Sequence, residues 1–175
     1  MLRSTFFESL PGKLVFLLLP AIAVVAVQCY SFRGVSLDPS IRTYGVAPFV
    51  NNAANALPSL AQSMEDALRE KIRTESRLVY STESPDIEFR GTLVDYRISA
   101  EAPRTGEVTA INRLTITLAI EYLDNKTQKQ VWKRNFSFFY DFPADRDFTA
   151  IETDALKAIT TQLMEDIFNA AFSDW

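Results

Sequence analysis

The sequence predicts an α+β protein, a two-layer sandwich with two helices packed on one face of a mostly antiparallel sheet. Three observations predict it. Apolar residues recur at helical spacing in two well-separated segments, Leu57 to Ile72 and Phe148 to Phe172. Between them, long segments alternate apolar and polar residues, so each offers one side to a core and the other to water. No linker rich in Pro, Gly or Ser divides the chain, and the order strand, helix, several strands, helix reads as one layered unit.

Taken in order, the first segment is set apart from that unit. Arg3 and Lys13 precede Leu14 to Val27, an uncharged apolar run of 14 residues, short of the roughly 20 that span a bilayer as a helix. A basic start, a short apolar run and a polar continuation form the layout of a secretory signal peptide over residues 1–28. A buried helix or an uncleaved anchor is the alternative. Ala26-Val27-Gln28-Cys29 resembles the lipobox of bacterial lipoproteins, with Ala26 and Gln28 where that pattern has Leu and Gly or Ala. The resemblance implies cleavage before Cys29 and a diacylglycerol and N-acyl lipid on its sulfur and amine. At about 0.8 kcal/mol for each buried methylene, such chains make attachment effectively permanent. An exported protein cut elsewhere, with one free thiol, is the competing reading. Residues 29–175 then form a single domain.

Arg42 to Val50 reads as a first strand with Tyr44, Val46 and Pro48 on one side, and Pro48 restricts it to an edge or an end. Asn51 to Ala56 has no period and reads as a loop. Pro58 suits the first turn of a helix, whose stripe is Leu57, Leu60, Met64, Leu68 and Ile72; Glu65, Arg69, Glu70 and Arg73 mark its solvated side. Arg77 to Ser81 is a short strand. Ile87, Phe89, Gly91 and Leu93 alternate with Glu88, Arg90 and Thr92, after which the apolar set changes phase to Val94, Tyr96 and Ile98. A bulge near Leu93 accounts for that slip, because one inserted residue turns over every later side chain. Glu101 to Val108 is a loop.

Leu114, Ile116, Leu118, Ile120 and Tyr122 then face one way along the clearest strand. Asp124 to Gln128 makes a hairpin turn. The returning strand shows Trp132, Phe136, Phe138, Tyr140 and Phe142 on one face, interrupted by Arg134. Asp145 or Asp147 can cap the last helix, about seven turns long, with a stripe of Phe148, Ile151, Ala155, Ile159, Leu163, Ile167 and Ala170, broadened by Leu156, Met164, Phe168 and Phe172. The far face of the sheet is left polar: Arg113, Thr115, Thr117, Lys133, Asn135 and Ser137.

Composition narrows the chemistry. The 175 residues are 47% hydrophobic and 23% charged with a formal charge of -4, which suits a globular domain and argues against disorder or a basic nucleic-acid binder. Histidine is absent and cysteine occurs once, which removes imidazole catalysis, Ser-His and Cys-His pairs, intrachain disulfides and cysteine metal clusters. No glycine-rich phosphate loop is present. Asp141, Asp145 and Asp147 lack the glycine and terminal glutamate of a calcium loop, so capping is the better role for them. The adjacent carboxylates Glu65-Asp66 and Glu165-Asp166 point apart on their helices. The aromatic stripe from Phe136 to Phe142 reads as core before it reads as a ligand site. The chain is therefore read as no enzyme, with no metal and no cofactor beyond the lipid on Cys29.

Beyond Cys29, four segments resemble a known family: VAPFVNNAANALPSLAQSMEDALREKI (Val46 to Ile72), DIEFRGTLVDYRI (Asp86 to Ile98), AINRLTITLAIEY (Ala110 to Tyr122) and KRNFSFFYDF (Lys133 to Phe142). In this order they are similar to the LPS-assembly lipoprotein LptE family. The resemblance implies two helices on a sheet of about four strands. It also implies an outer-membrane lipoprotein, anchored on the periplasmic side, that plugs and helps assemble the LptD β-barrel and assists lipopolysaccharide insertion into the outer leaflet. The partners implied are that barrel, lipopolysaccharide and the membrane, and no nucleic acid. Lipopolysaccharide carries phosphates, which Arg and Lys engage through charge-assisted hydrogen bonds; the candidate contacts are Arg90, Arg97, Arg113, Lys133 and Arg134, and ordinary exposed strand residues is the plainer reading of each. A periplasmic binding or scaffold lipoprotein of another envelope complex is the runner-up. A hydrolase or transferase would need converging carboxylates in a cleft.

Overall fold

The computed structural model describes residues 38–101 and 110–173. The expected leader, Cys29 and the loop after Glu101 lie outside the described residues. The strands are β1 (Thr43–Val46), β2 (Val50–Asn51), β3 (Val79–Tyr80), β4 (Ile87–Glu101), β5 (Ile111–Asp124) and β6 (Lys129–Pro143). The helices are α1 (Leu60–Glu75) and α2 (Phe148–Phe172).

The two helices pack on a six-stranded sheet of order β3-β1-β4-β5-β6, with β2 beside β4. This corrects the expected sheet of about four mostly antiparallel strands. β4, β5 and β6 form an antiparallel meander, whereas β1 pairs in parallel with β3 and β4, and β2 in parallel with β4. The physical reason is α1. Parallel neighbours need a crossover, and α1 returns the chain so that β3 runs alongside β1.

Pro48 explains why one expected strand is two. Neither Ala47 nor Pro48 belongs to a strand, yet Ala47 N–H donates to Phe89 O and Asn52 N–H to Leu93 O, both at 2.9 Å. The broken segment thus holds the β4 edge at both ends. The break also changes phase. Pro48 is exposed, and Phe49 turns into the core in its place.

The bulge forms where the apolar phase slips. Leu93 pairs with Leu118 and Asp95 with Thr117, leaving Val94 unopposed. The insertion brings both Leu93 and Tyr96 inward. Val94 and Ile98, expected to join them, are 40% and 44% exposed. Val94 is the bulged residue itself, and Ile98 lies where β4 has run past β2. A second bulge, not foreseen, leaves Val131 unopposed between the pairs Tyr122–Trp132 and Leu123–Gln130.

One core unites the layers. Leu114, Ile116, Leu118 and Ile120 of β5 are fully buried in one cluster with Met64, Leu68 and Ile72 of α1 and Ala155, Ile159, Leu163 and Ile167 of α2. Each Leu, Ile and Met side chain among them contributes about 1.5–3 kcal/mol through removal from water. Phe89 stacks on Tyr122 at 4.9 Å and meets Phe172 at 5.9 Å, tying β4, β5 and α2 together. Asp147 caps α2 by accepting from Thr149 N–H at 3.1 Å. α1 begins after Pro58, so Leu57 stands outside the stripe and is 45% exposed.

Candidate functional site

Side chains facing away from the helices build the site, and strand register determines their neighbours. Cα partners across β4, β5 and β6 give successive rows: Arg90, Glu121, Lys133; Thr92, Ala119, Asn135; Asp95, Thr117, Ser137; Arg97, Thr115, Phe139; Ser99, Arg113, Asp141. On β5 and β6 the middle rows carry Thr, Ala, Asn, Ser and Phe, with Asp95 and Arg97 on β4, and Thr117 Oγ1 donates to Ser137 Oγ at 3.0 Å. Basic residues sit at both ends. This is the polar far face that the alternation predicts.

Four of the five candidate basic residues share this face. Arg90 lies 2.8 Å from Glu88, and Lys133 lies 2.6 Å from Glu121. Arg113 holds Asp141 through two hydrogen bonds, at 2.6 and 2.8 Å, and its guanidinium stands 3.9 Å from the centre of the Phe139 ring. Arg97 is a looser 3.7 Å from Asp95. Arg134 is set apart. It falls in the inward-facing series of β6, where its guanidinium lies 5.6 Å from the Trp132 ring.

Carboxylates shift the ionisation of two of these arginines, Arg90 and Arg113, upward. Glu88, chiefly, and Glu121 raise the pKa of Arg90, while Arg90 and then Asn125 lower that of Glu88. Asp141, with Glu101, raises the pKa of Arg113. An incoming anion meets cations that already have partners, so it must compete for their donors.

At one end the face is dished. Ala47, Pro48 and Val50 rim a recess of about 250 Å³ whose floor and far wall are Arg90, Gly91, Thr92, Ala119, Glu121 and Lys133. It gathers two of the five candidates, Arg90 and Lys133, on either side of Glu121. Glu121 could have been chosen from sequence, since it shares the outward phase of Thr115 and Thr117. The Pro48 rim could not, because it depends on parallel pairing to β4. Among the described residues, no group of three or more His, Cys, Asp or Glu is placed to hold a metal ion. No described helix is long and apolar enough to cross a membrane.

Comparison with protein families decides the lineage. The family model "LptE: Lipopolysaccharide-assembly" matches residues 41–171, from the approach to β1 to the last turn of α2. The chain belongs to the LptE family. Comparison with curated protein sequences gives no match. Solved structures share the fold. A protein from Xanthomonas campestris is 16% identical with a TM-score of 0.53, covering 79% of this chain and 90% of its own. A hypothetical protein from Chlamydia trachomatis is 3% identical with a TM-score of 0.52, covering 74% and 97%. A minor lipoprotein from Acinetobacter baumannii is 8% identical with a TM-score of 0.50, covering 73% and 90%. At such identities these likenesses speak to fold alone. For the LptE assignment the fold supplies the frame, two helices covering one sheet face and leaving the charged face outward.

Proposed function

We propose that the chain is an outer-membrane lipoprotein, acylated at Cys29 and held on the periplasmic side, that plugs an LptD-like β-barrel and assists lipopolysaccharide insertion. The family match over residues 41–171 carries this reading. The outward sheet face supports it, because barrel lumens are polar and a domain whose apolar surface is spent on its own helices offers them a polar wedge. On this reading the work is done by fit and by charge, with no bond made or broken.

For the lipid, the recess is the preferred contact. Arg90 and Lys133 flank Glu121 there, so a phosphate that displaces the carboxylate meets two cations at once. Arg97 and Arg113 offer a second pair at the other end of the face. Arg134, on the helix side, is the weakest of the five.

The test is affinity purification of the full chain from detergent-solubilised outer membranes. A large barrel protein is expected to co-purify, and labelled fatty acid to be incorporated and then lost in Cys29→Ala. Depletion of the chain is expected to lower surface lipopolysaccharide. Recovery without a barrel, together with normal surface lipopolysaccharide, would overturn the proposal in favour of a scaffold for another envelope complex.

A further inference from the structure

β4 has a strand along its outer side for only part of its length. β1 pairs with Ile87 to Phe89 and β2 with Thr92 and Leu93; among the described residues, no strand pairs with that side from Val94 to Glu101. Burial records the difference. Ile87, Phe89 and Leu93, each opposite a residue of β1 or β2, are fully buried, whereas Ile98 is 44% exposed although its β5 partner, Leu114, is fully buried. α2 lies along β5 and β6, so the core thins at the free side of β4. The backbone is open there too. Ala47 N–H donates to Phe89 O and Asn52 N–H to Leu93 O, so the residues of β4 that face the helices turn their own backbone groups away from β5. β5 alternates without a break past the Val94 bulge, and its Ile116 and Leu114 keep Tyr96 and Ile98 in that same phase. The N–H and C=O groups of Tyr96, Ile98 and Ala100 thus point out along the edge, and no described backbone group bonds them.

An unpaired edge is a template for another strand. From Val94 to Glu101 there is no proline, glycine or lysine to blunt it. We propose that this edge receives an extended segment of the barrel that the chain plugs, added beside β4 where β2 leaves off; the identity of that partner rests on the reading given above. Strand addition draws affinity from main-chain hydrogen bonds and specificity from alternate side chains. On the helix side the added strand carries aliphatic residues that cover Ile98. On the outward side it carries a carboxylate opposite Arg97.

Arg97 sets that second requirement. Its side chain is 65% exposed and lies 3.7 Å from Asp95, beyond hydrogen-bond length. Arg90 and Arg113, by contrast, are held by Glu88 and Asp141 at 2.8 and 2.6 Å. Arg97 therefore keeps donors for a charge-assisted bond to a partner. The barrel is the source that fits. Asp95, Arg97 and Ser99 form the margin of the polar face offered to the lumen wall, so a strand beside them continues the surface that the wall meets, and it needs no second copy of the chain.

Photo-cross-linking in cells that make the full-length chain tests it. With p-benzoylphenylalanine at Ala100, exposed on the open edge, ultraviolet light is expected to join the chain to the barrel, identified by mass spectrometry. The same cross-linker at Asn135, exposed on the outward face, reports whether the barrel surrounds the domain at all. Ile98→Pro removes one edge-facing N–H and none that bonds β5. It is expected to lower the Ala100 adduct about three- to tenfold, the worth of one hydrogen bond, and to leave the Asn135 adduct unchanged. Arg97→Glu, which keeps the backbone intact, is expected to lower the Ala100 adduct as well and serves should Ile98→Pro fail to accumulate. An Asn135 adduct without one at Ala100 overturns the edge pairing and leaves the barrel reading standing; no adduct at either position overturns both. An Ala100 adduct that neither substitution lowers, or one formed with a second copy of the chain, also overturns the pairing.

Discussion

Replacing Gly91 with alanine tests how the Pro48 break organises the core. β4 passes beneath Phe49, and a Cβ built on Gly91 would stand 2.6 Å from Cε1, Cε2 and Cζ of that ring. Carbon atoms rest at about 3.5–4.0 Å, so the ring or the strand must retreat by about 1 Å. Phe49 has little room to do so. It is 8% exposed, follows Pro48, and its N–H donates to Glu65 Oε2 of α1 at 3.3 Å. Overpacking of this kind costs about 1–3 kcal/mol, offset by about 0.5–1 kcal/mol because alanine suits a strand better than glycine. The net expectation is a destabilisation centred on about 1 kcal/mol and reaching about 2.5 kcal/mol. Urea unfolding reads it as a lower midpoint at unchanged slope. Phe49→Leu on its own should destabilise, while Gly91→Ala added to Phe49→Leu should cost less than Gly91→Ala alone, a coupling that a double-mutant cycle isolates. An unchanged or raised midpoint for Gly91→Ala would refute the packing argument.

Three further outcomes follow from particular contacts. The backbone N–H of Arg42, joined by that of Thr43 and by the Lys126 charge, lowers the Asp86 pKa from 3.8 to about 2; a depressed carboxylate stabilises the fold fully above pH 3.8 and ceases to do so as pH falls through about 2. After allowance for solvent screening, Asp86→Asn should lose about 1 kcal/mol at pH 7 and flatten the acid limb of a stability-versus-pH curve between those values. Asp147→Ala should cost about 1 kcal/mol by removing the α2 cap, whereas Asp145→Ala should leave thermal unfolding within about 0.5 kcal/mol of the parent. Leu118→Ala, at the fully buried centre of β5, should cost about 2–5 kcal/mol in urea unfolding.

The elements most legible in the sequence are those whose local pattern and tertiary environment agree. β5 is covered on one face along its whole length, so its alternation is complete and each of its five inward residues is buried. The bulge at Val94 was legible for the same reason, since an insertion in an alternating strand leaves a visible slip. Segments around β1 and β3 are legible as strands, at Arg42 to Val50 and Arg77 to Ser81, but their parallel direction is not. β2 and β3 are two residues each, too short for any period, and their direction is imposed by the α1 crossover. Within the candidate site, alternation placed Arg90, Arg97, Arg113 and Lys133 on one face because each lies on a long strand. The same logic sets Arg134 apart, one residue out of phase with Lys133. The recess escaped because its rim and its floor are distant in sequence and meet only through β1 and β2.

The interruption at Pro48 bears on the order in which the domain can assemble. Residues Thr43 and Asp86, bonded to each other through side chain and backbone, stand 43 positions apart, whereas the hairpin joining β5 to β6 closes between Asp124 and Lys129. Closing a long loop costs more chain entropy than closing a short one, and non-local parallel contacts form late. The meander can zip from its own turn, but until β4 exists β2 has no strand partner and β1 has only the two-residue β3. A polypeptide threaded through a translocation pore amino end first would therefore carry its earliest-emerging portion unfolded, available to chaperones, until the later part had arrived to receive it.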